Sequence, residues 1–407
     1  MIERQLSSFV ADEKLGRQMR FIAGPRQAGK ATLARAILTA KKSAEFYFNW
    51  DLREVRERYR ADAGFFETAM RDASGSGHRP WIGFDEIHKM PRWKDILKGY
   101  FDKYEGEARF IVTGSARLDW FRRSGDALAG RYFLFHLGPL SLAEAAGRIP
   151  DVPKKDESAA AFIESRVARV RYEDDTLAQL LEYGGFPEPF LKADAAFYKR
   201  WQREMVDRLI RDDVRDLTRI LDVEHVATLL ALLPDRIGSP LSLNALQEDI
   251  GIGHTAMRSA VTALQLTYAL FLLSPYSHKL ARAVKKEKKA YFFDWGRCPD
   301  PAKRFENYVA CELKSMTGLW HDLGIGDFEV TYVRMRDGKE TDFLIVRDRK
   351  PWILFEAKLE DGPIDKHHFD HAKMLGGIPL VQIVRNGRVF RKQDPGAYRI
   401  SASRLFA

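Results

Sequence analysis

The chain has 407 residues, 45% of them apolar, enough for two or three domains each with its own core. Its net charge of +9 suits a polyanionic partner, nucleic acid first, while a cysteine content of two, Cys298 and Cys311, excludes a disulfide framework or a cysteine-rich zinc module. No apolar run reaches the ~18–20 residues of a membrane span and the start is charged rather than signal-like, so a soluble, cytoplasmic protein with no membrane partner is expected.

From the N-terminus, Met19 to Ile22 reads as a buried strand, followed by a glycine-bearing loop and a helical run through Arg35. Gly24 and Gly29 let the backbone form a concavity whose amides, with those opening the next helix, point at an anion. Lys30 adds a positive charge for the β- and γ-phosphates. Gly24, Pro25, Arg26, Gln27, Ala28, Gly29, Lys30, Ala31 and Thr32 are therefore the expected nucleotide loop, with ATP and Mg2+ as its ligands. The pattern G-x-x-x-x-G-K-[ST] fails only at its last position: Ala31 lacks the hydroxyl that binds magnesium, and Thr32 is left to bond the α-phosphate. Magnesium then takes a water in place of a protein ligand, and hydrolysis should be slow.

Glu45 to Trp50 reads as another strand, and Pro80 to His88 as a further one ending in two acids. This is a Walker B pattern, in which Asp85 holds magnesium through water and Glu86 polarises the attacking water. Ala108 to Gly114 and Arg131 to His136 complete a parallel sheet wrapped by helices over residues 1–150. Where a strand is interposed between phosphate loop and Walker B, a polar residue ending the next strand senses the γ-phosphate. Ser115 is preferred to Thr113 for that role.

Prolines and charges from Arg148 to Glu157 mark a linker, and residues 151–235 read as a helical lid interrupted by a turn at Gly184-Gly-Phe-Pro187. In residues 236–298, Leu243, Leu246 and Ile250 mark a short helix, Gly251 to Gly253 a turn, and Met257, Val261 and Leu264 a second helix. Flanked by Tyr268 to Leu273 and Lys289 to Phe293 as a hairpin, this is a winged helix-turn-helix, an arrangement that also serves protein contacts. Its basic segment offers Lys285, Lys286, Lys288 and Lys289 to DNA phosphates, with His254 to Leu266 as reader.

Residues 299–407 read as an α/β unit around a mixed sheet: a helix from Ala302 to Thr317, strands at Asp327 to Val333, Thr341 to Val346, Trp352 to Lys358 and Pro379 to Val384, and a helix near Asp365 to Leu375. Asp342 opens one strand and Glu356 and Lys358 close the next, on one side by the period-two rule. Asp342 and Glu356 could ligate magnesium, Lys358 activate water, and Glu306 complete the acidic cluster, which is phosphodiesterase chemistry.

Gly24 to Lys30, Phe84 to His88, Val112 to Ser115, Gly130-Arg131 before Pro139-Leu-Ser141, Gly184 to Pro187, Tyr291 to Asp294, Glu306-Asn307, Glu340 to Phe343 and Glu356 to Lys358 together resemble prokaryotic ATPases that join an AAA-type domain to a DUF4143 domain. The resemblance implies an AAA ATPase, a winged helix, and a C-terminal unit similar to PD-(D/E)xK nucleases. It further implies ring assembly, with a neighbour's arginine at the γ-phosphate; Arg131 is the candidate, ahead of Arg117, Arg122 and Arg123. The expected function is an ATP-binding NTPase coupled to DNA binding or processing. The alternative, favoured by Ala31, is a nucleotide-switched binding protein.

Overall fold

In the computed structural model, which describes residues 2–74, 79–114, 128–149, 152–214, 223–277, 287–393 and 396–407, the chain divides into two units. Residues Arg4–Gly138 contain β1 (Met19–Ala23), β2 (Tyr47–Asn49), β3 (Trp81–Asp85), β4 (Arg109–Thr113) and β5 (Tyr132–His136) in one parallel sheet of order β2-β3-β4-β1-β5. Alternation places Met19, Phe21 and Ala23 with Ile82, Phe84, Phe110 and Val112 in one core, against Trp50, Phe66, Tyr100 and Tyr104. Phe84 stacks on Tyr100 at 5.4 Å between ring centroids and on Phe110 at 6.0 Å. A Cβ on Gly83 of β3 would lie 2.8 Å from a Leu38 methyl, so the missing side chain lets helix Lys30–Ala40 seat on the sheet.

β4 lies between β1 and β3 and pairs with both, setting Thr113 beside Ile22 on one side and beside Asp85 on the other. The carboxyl ends of three parallel strands thus meet where β1 enters its loop. In open α/β sheets that edge is where ligands bind.

The second unit comprises Pro139–Ala407 together with the first three residues of the chain. The helices expected as lid, Ala159–Ala168, Asp174–Tyr183, Pro187–Lys192 and Ala195–Arg208, share one core with the C-terminal strands. The Gly184-Gly185 turn is dictated by Trp295, whose ring would lie 2.3 Å from a Cβ on Gly185 and whose Nε1 donates to Leu180 O at 2.7 Å. Helices Leu243–Ile250 and His254–Leu266 precede β6 (Leu270–Leu273) and β7 (Lys289–Phe292), an antiparallel pair in which Leu273 faces Lys289. Helix Pro301–Asp322 is longer than the sequence suggested; its Asn307 side chain accepts from Phe292 N and donates to Phe292 O.

The remaining strands, β8 (Phe328–Arg334), β9 (Glu340–Arg347), β10 (Lys350–Lys358), β11 (Leu380–Val384), β12 (Phe390–Gln393) and β13 (Ala397–Ser401), form one mixed sheet of order β12-β13-β11-β10-β9-β8. β8, β9 and β10 are antiparallel neighbours, whereas β10 and β11 run parallel across helix Lys366–Met374. Cys298 and Cys311 are free buried thiols. Among the described residues no helix is long and apolar enough to cross a membrane.

Candidate functional site

Leaving β1, the chain turns through Gly24 to Gly29 into helix Lys30–Ala40. A Cβ on Gly24, at φ +150°, would stand 2.1 Å from the Leu137 carbonyl oxygen, so no other residue fits. Gln27 and Gly29 take left-handed φ of 59° and 95°, the backbone reversals that a concave run of amides requires. Lys30 is buried and folds into this concavity, donating from Nζ to Gly24 O at 2.9 Å and Pro25 O at 2.7 Å. Its ammonium is thus held on the loop's own carbonyls. Ala31 brings no hydroxyl, and Thr32 is exposed on the first turn of the helix.

Arg4 escaped the sequence reading because it lies far outside any motif. Its guanidinium donates to Ala28 O at 2.7 Å and to Gly138 O at 2.8 Å, clamping the loop from behind.

Asp85, closing β3, is buried and doubly engaged: Thr113 Oγ1 donates to Oδ1, and Tyr47 Oη donates to Oδ2 at 2.5 Å. Burial and the Asp85 carboxylate push the Tyr47 hydroxyl up, which keeps it a donor. Thr113 is therefore committed to orienting Asp85, and Ser115, the expected sensor, lies outside the described residues. Glu86 follows with a left-handed φ of 57°, its carboxylate 3.4 Å from His88 Nε2 and 3.5 Å from Lys89 Nζ. A side chain there is held aside by two neighbours on the same turn.

Arg131 sits just before β5, at the end of the sheet opposite the loop, where Met19 pairs with Tyr132. It forms a two-pronged pair with Asp102 at 2.8 and 3.3 Å and holds that carboxyl below its usual range. Arg117, Arg122 and Arg123 lie outside the described residues.

These groups fit a nucleoside triphosphate: a glycine-bearing concavity at a helix start, an ammonium inside it, and an oriented carboxylate across β4. They fit its magnesium ion through water alone, since both Asp85 oxygens already accept from hydroxyls and Ala31 supplies nothing.

In the second unit, the expected Glu306, Asp342, Glu356 and Lys358 do come together, and Lys289 is among them. The basic segment suggested Lys289 as a DNA contact; instead it is fully buried, its Nζ 2.9 Å from Glu340 Oε1 and 3.5 Å from both Glu306 and Asp342. Burial pulls this ammonium down, but Glu306, Asp342 and Glu340 outweigh it and hold the pKa above the usual lysine value. Lys288 is half-buried, with its carbonyl accepting from Leu241 N at 2.8 Å, and Lys285 and Lys286 lie outside the described residues.

Tyr291 donates to Glu306 Oε1 at 2.8 Å. Asp342 Oδ2 accepts from Ala357 N at 3.0 Å, Glu356 Oε2 from Asp342 N at 3.3 Å, and Glu356 Oε1 pairs with Lys358 at 2.8 Å. Burial first, and Asp342 second, push Glu306 up to about 7 and Glu356 up to about 8. Every oxygen of the Asp342–Glu356 pair therefore has a partner, and an ammonium occupies the acidic centre. This donor set does not fit the magnesium ion expected of a nuclease. Tyr291 was a legible clue, since period two puts it on the same side of β7 as Lys289.

Residues 16–146 match an AAA domain family, and residues 174–299 match a domain of unknown function, DUF8612. The DUF4143 domain expected over 299–407 is not what the match shows. An uncharacterized protein of Mycobacterium tuberculosis is 23% identical over 398 residues, covering 90% of this chain and 81% of its own. An uncharacterized protein of Methanocaldococcus jannaschii is 22% identical over 338 residues, covering 78% and 70%. Among solved structures, AMPPCP-bound DnaA from Aquifex aeolicus has a TM-score of 0.30 at 13% identity, over 64% of this chain and 86% of that one. PCH-2 of C. elegans has a TM-score of 0.24 at 14% identity, over 64% and 65%. Likenesses at those scores carry no argument.

Proposed function

We propose that the unit bearing the AAA domain takes ATP at Gly24 to Thr32 and hydrolyses it slowly, so that nucleotide state works as a switch. The observation that carries this reading is Lys30, buried within its own loop on the Gly24 and Pro25 carbonyls, with Asp85 oriented on the same sheet edge. Phosphate oxygens would replace those carbonyls as acceptors, while loop amides and the helix start hold the remaining charge. Magnesium, when bound with ATP, would neutralise phosphate charge, with Asp85 reaching it through water and Ala31 giving no ligand. Glu86 polarises the attacking water only after leaving His88 and Lys89. Both the absent hydroxyl and the diverted Glu86 argue for slow turnover.

Calorimetric titration with ATP tests the site: Lys30→Ala should abolish binding, and unchanged affinity would overturn the assignment. Slow turnover is tested separately by Ala31→Thr, which should hydrolyse faster; equal rates would remove the switch reading while leaving the binding site intact.

For the partner, the helix pair Leu243–Ile250 and His254–Leu266 with the β6–β7 hairpin supports a winged helix-turn-helix over 236–298, with DNA engaged through Lys285, Lys286 and Lys288. Cleavage by the C-terminal sheet is not part of the proposal, because Lys289 fills its acidic centre. Ring assembly with Arg131 serving a neighbour's nucleotide is supported by its place at the far end of the sheet from its own loop. Mixing Lys30→Ala with Arg131→Ala subunits should restore some turnover; none would refute a trans role.

A further inference from the structure

Helix Lys366–Met374 starts with Asp365 at its N-cap and His367 and His368 in its first turn. Aspartate is favoured at that position because its carboxylate accepts from an amide two or three residues on. The Asp365 side chain makes no such bond. Its carboxylate lies with one ring nitrogen of His367 and one of His368 in a group whose atoms are all within 4.8 Å of one another.

The two rings are already oriented by other groups. His367 Nε2 is 3.0 Å from the Glu340 carbonyl oxygen, which only accepts, so in the neutral ring Nε2 carries the proton and Nδ1 keeps a lone pair. His368 Nδ1 is 2.7 Å from Thr341 Oγ1, a hydroxyl shared with His371 Nδ1 at 2.8 Å. When His368 Nδ1 donates to that hydroxyl and the hydroxyl donates to His371, the lone pair of His368 falls on Nε2. That nitrogen has no hydrogen-bond partner although the residue is only 1% exposed; Glu356 Oε1 stands 3.7 Å from it, too far to bond. A carboxylate without a capping role, two imidazoles each steered through the second nitrogen, and an orphaned buried nitrogen are three separate signs of a missing cation.

We propose that Asp365, His367 and His368 bind a divalent cation of the imidazole-preferring class, Zn2+, Co2+ or Ni2+, and not Mg2+, which prefers oxygen ligands throughout. Asp365 is exposed and His367 half-buried, so the ion has an entry path and keeps a position open to water. None of the three ligands belongs to the nucleotide loop or to the Lys289 cluster, although His368 borders the latter at Glu356, and the site stands whether or not ATP is the ligand at the loop.

The full chain, stripped by chelator, would be titrated with Co2+ by calorimetry and visible absorption, with Mg2+ in excess. The expected result is one equivalent bound with the intense bands of low-coordinate Co2+, undisturbed by Mg2+ and retained in Lys30→Ala and Asp342→Asn. Asp365→Ala alters an exposed residue and His367→Ala a half-buried one that bonds the Glu340 carbonyl, so the folding of each is checked by circular dichroism, and each should weaken binding by about tenfold or more. No saturable binding in wild type, or binding in both variants equal to wild type, would overturn the proposal. The second result would mean adventitious capture elsewhere among the 10 histidines.

Discussion

Replacing Lys289 with methionine keeps the apolar stem and removes the ammonium from between Glu306, Glu340 and Asp342. At an effective dielectric of about 20, one unit pair at the observed 2.9–3.5 Å is worth about 5 kcal/mol before desolvation. Desolvation of the ammonium and repulsion among the acids offset much of that sum. Removing one partner of a buried cluster typically costs about 3–5 kcal/mol, because the surviving charges are left uncompensated. Lys289→Met should lower the stability of this unit by that amount at pH 8. The loss should shrink on acidification: Glu306 is pushed up to about 7 even with Lys289 beside it, and higher without it, so near pH 5.5 it is protonated and less repulsion remains. Urea unfolding of both proteins across that range, followed by tryptophan fluorescence, gives the comparison. Equal stability at pH 8, together with a loss of DNA affinity, would refute the buried cluster and restore Lys289 to the phosphate-binding surface.

Ala31→Thr should raise ATP turnover by about tenfold, equivalent to ~1.4 kcal/mol at the transition state, with little change in ATP affinity; single-turnover kinetics would tell. Gly24→Ala would drive a Cβ to 2.1 Å from a backbone oxygen that cannot yield, destabilising its unit by ~1–3 kcal/mol and weakening ATP binding; thermal melts with and without ATP separate the two effects. Burial raises Glu312 from 4.5 to about 8 against the opposing Leu142 amide, so the folded chain holds that proton more tightly than the unfolded one. The wild type should therefore lose stability as pH rises between those two values, with a slope of at most ~1.4 kcal/mol per pH interval of one. Glu312→Gln should flatten that slope, and parallel pH profiles of the two proteins would contradict it.

The concave loop between β1 and helix Lys30–Ala40 was legible because its information is local: glycines, a lysine and a strand-to-helix transition within one short stretch. The strands of the first unit were legible too: β1, β3 and β4, buried on both faces, read as apolar runs, and the partly exposed edge strands β2 and β5 read as aromatic-rich ones. Lys289 was misread because four other lysines and an arginine precede it, and the run looks like solvated surface. Its fate is decided by Glu306, Glu340 and Asp342, brought to it by helix Pro301–Asp322 and by β9, neither adjacent in sequence. Asp365, His367 and His368 lie close in sequence, but the features that mark them, an idle cap and two steered rings, exist only once Glu340 and Thr341 are in place.

Arg4 ties the beginning, middle and end of its unit into a single mechanical linkage. Its guanidinium grips the loop at Ala28 and the last residue of the unit, Gly138, while Leu137 N donates to Ala23 O at 2.8 Å and the Leu137 carbonyl backs onto Gly24. The loop after β1 and the segment through which the chain departs are therefore yoked at three points. Any shift of Ala28 would therefore reach Gly138 through one side chain, without travelling through the sheet.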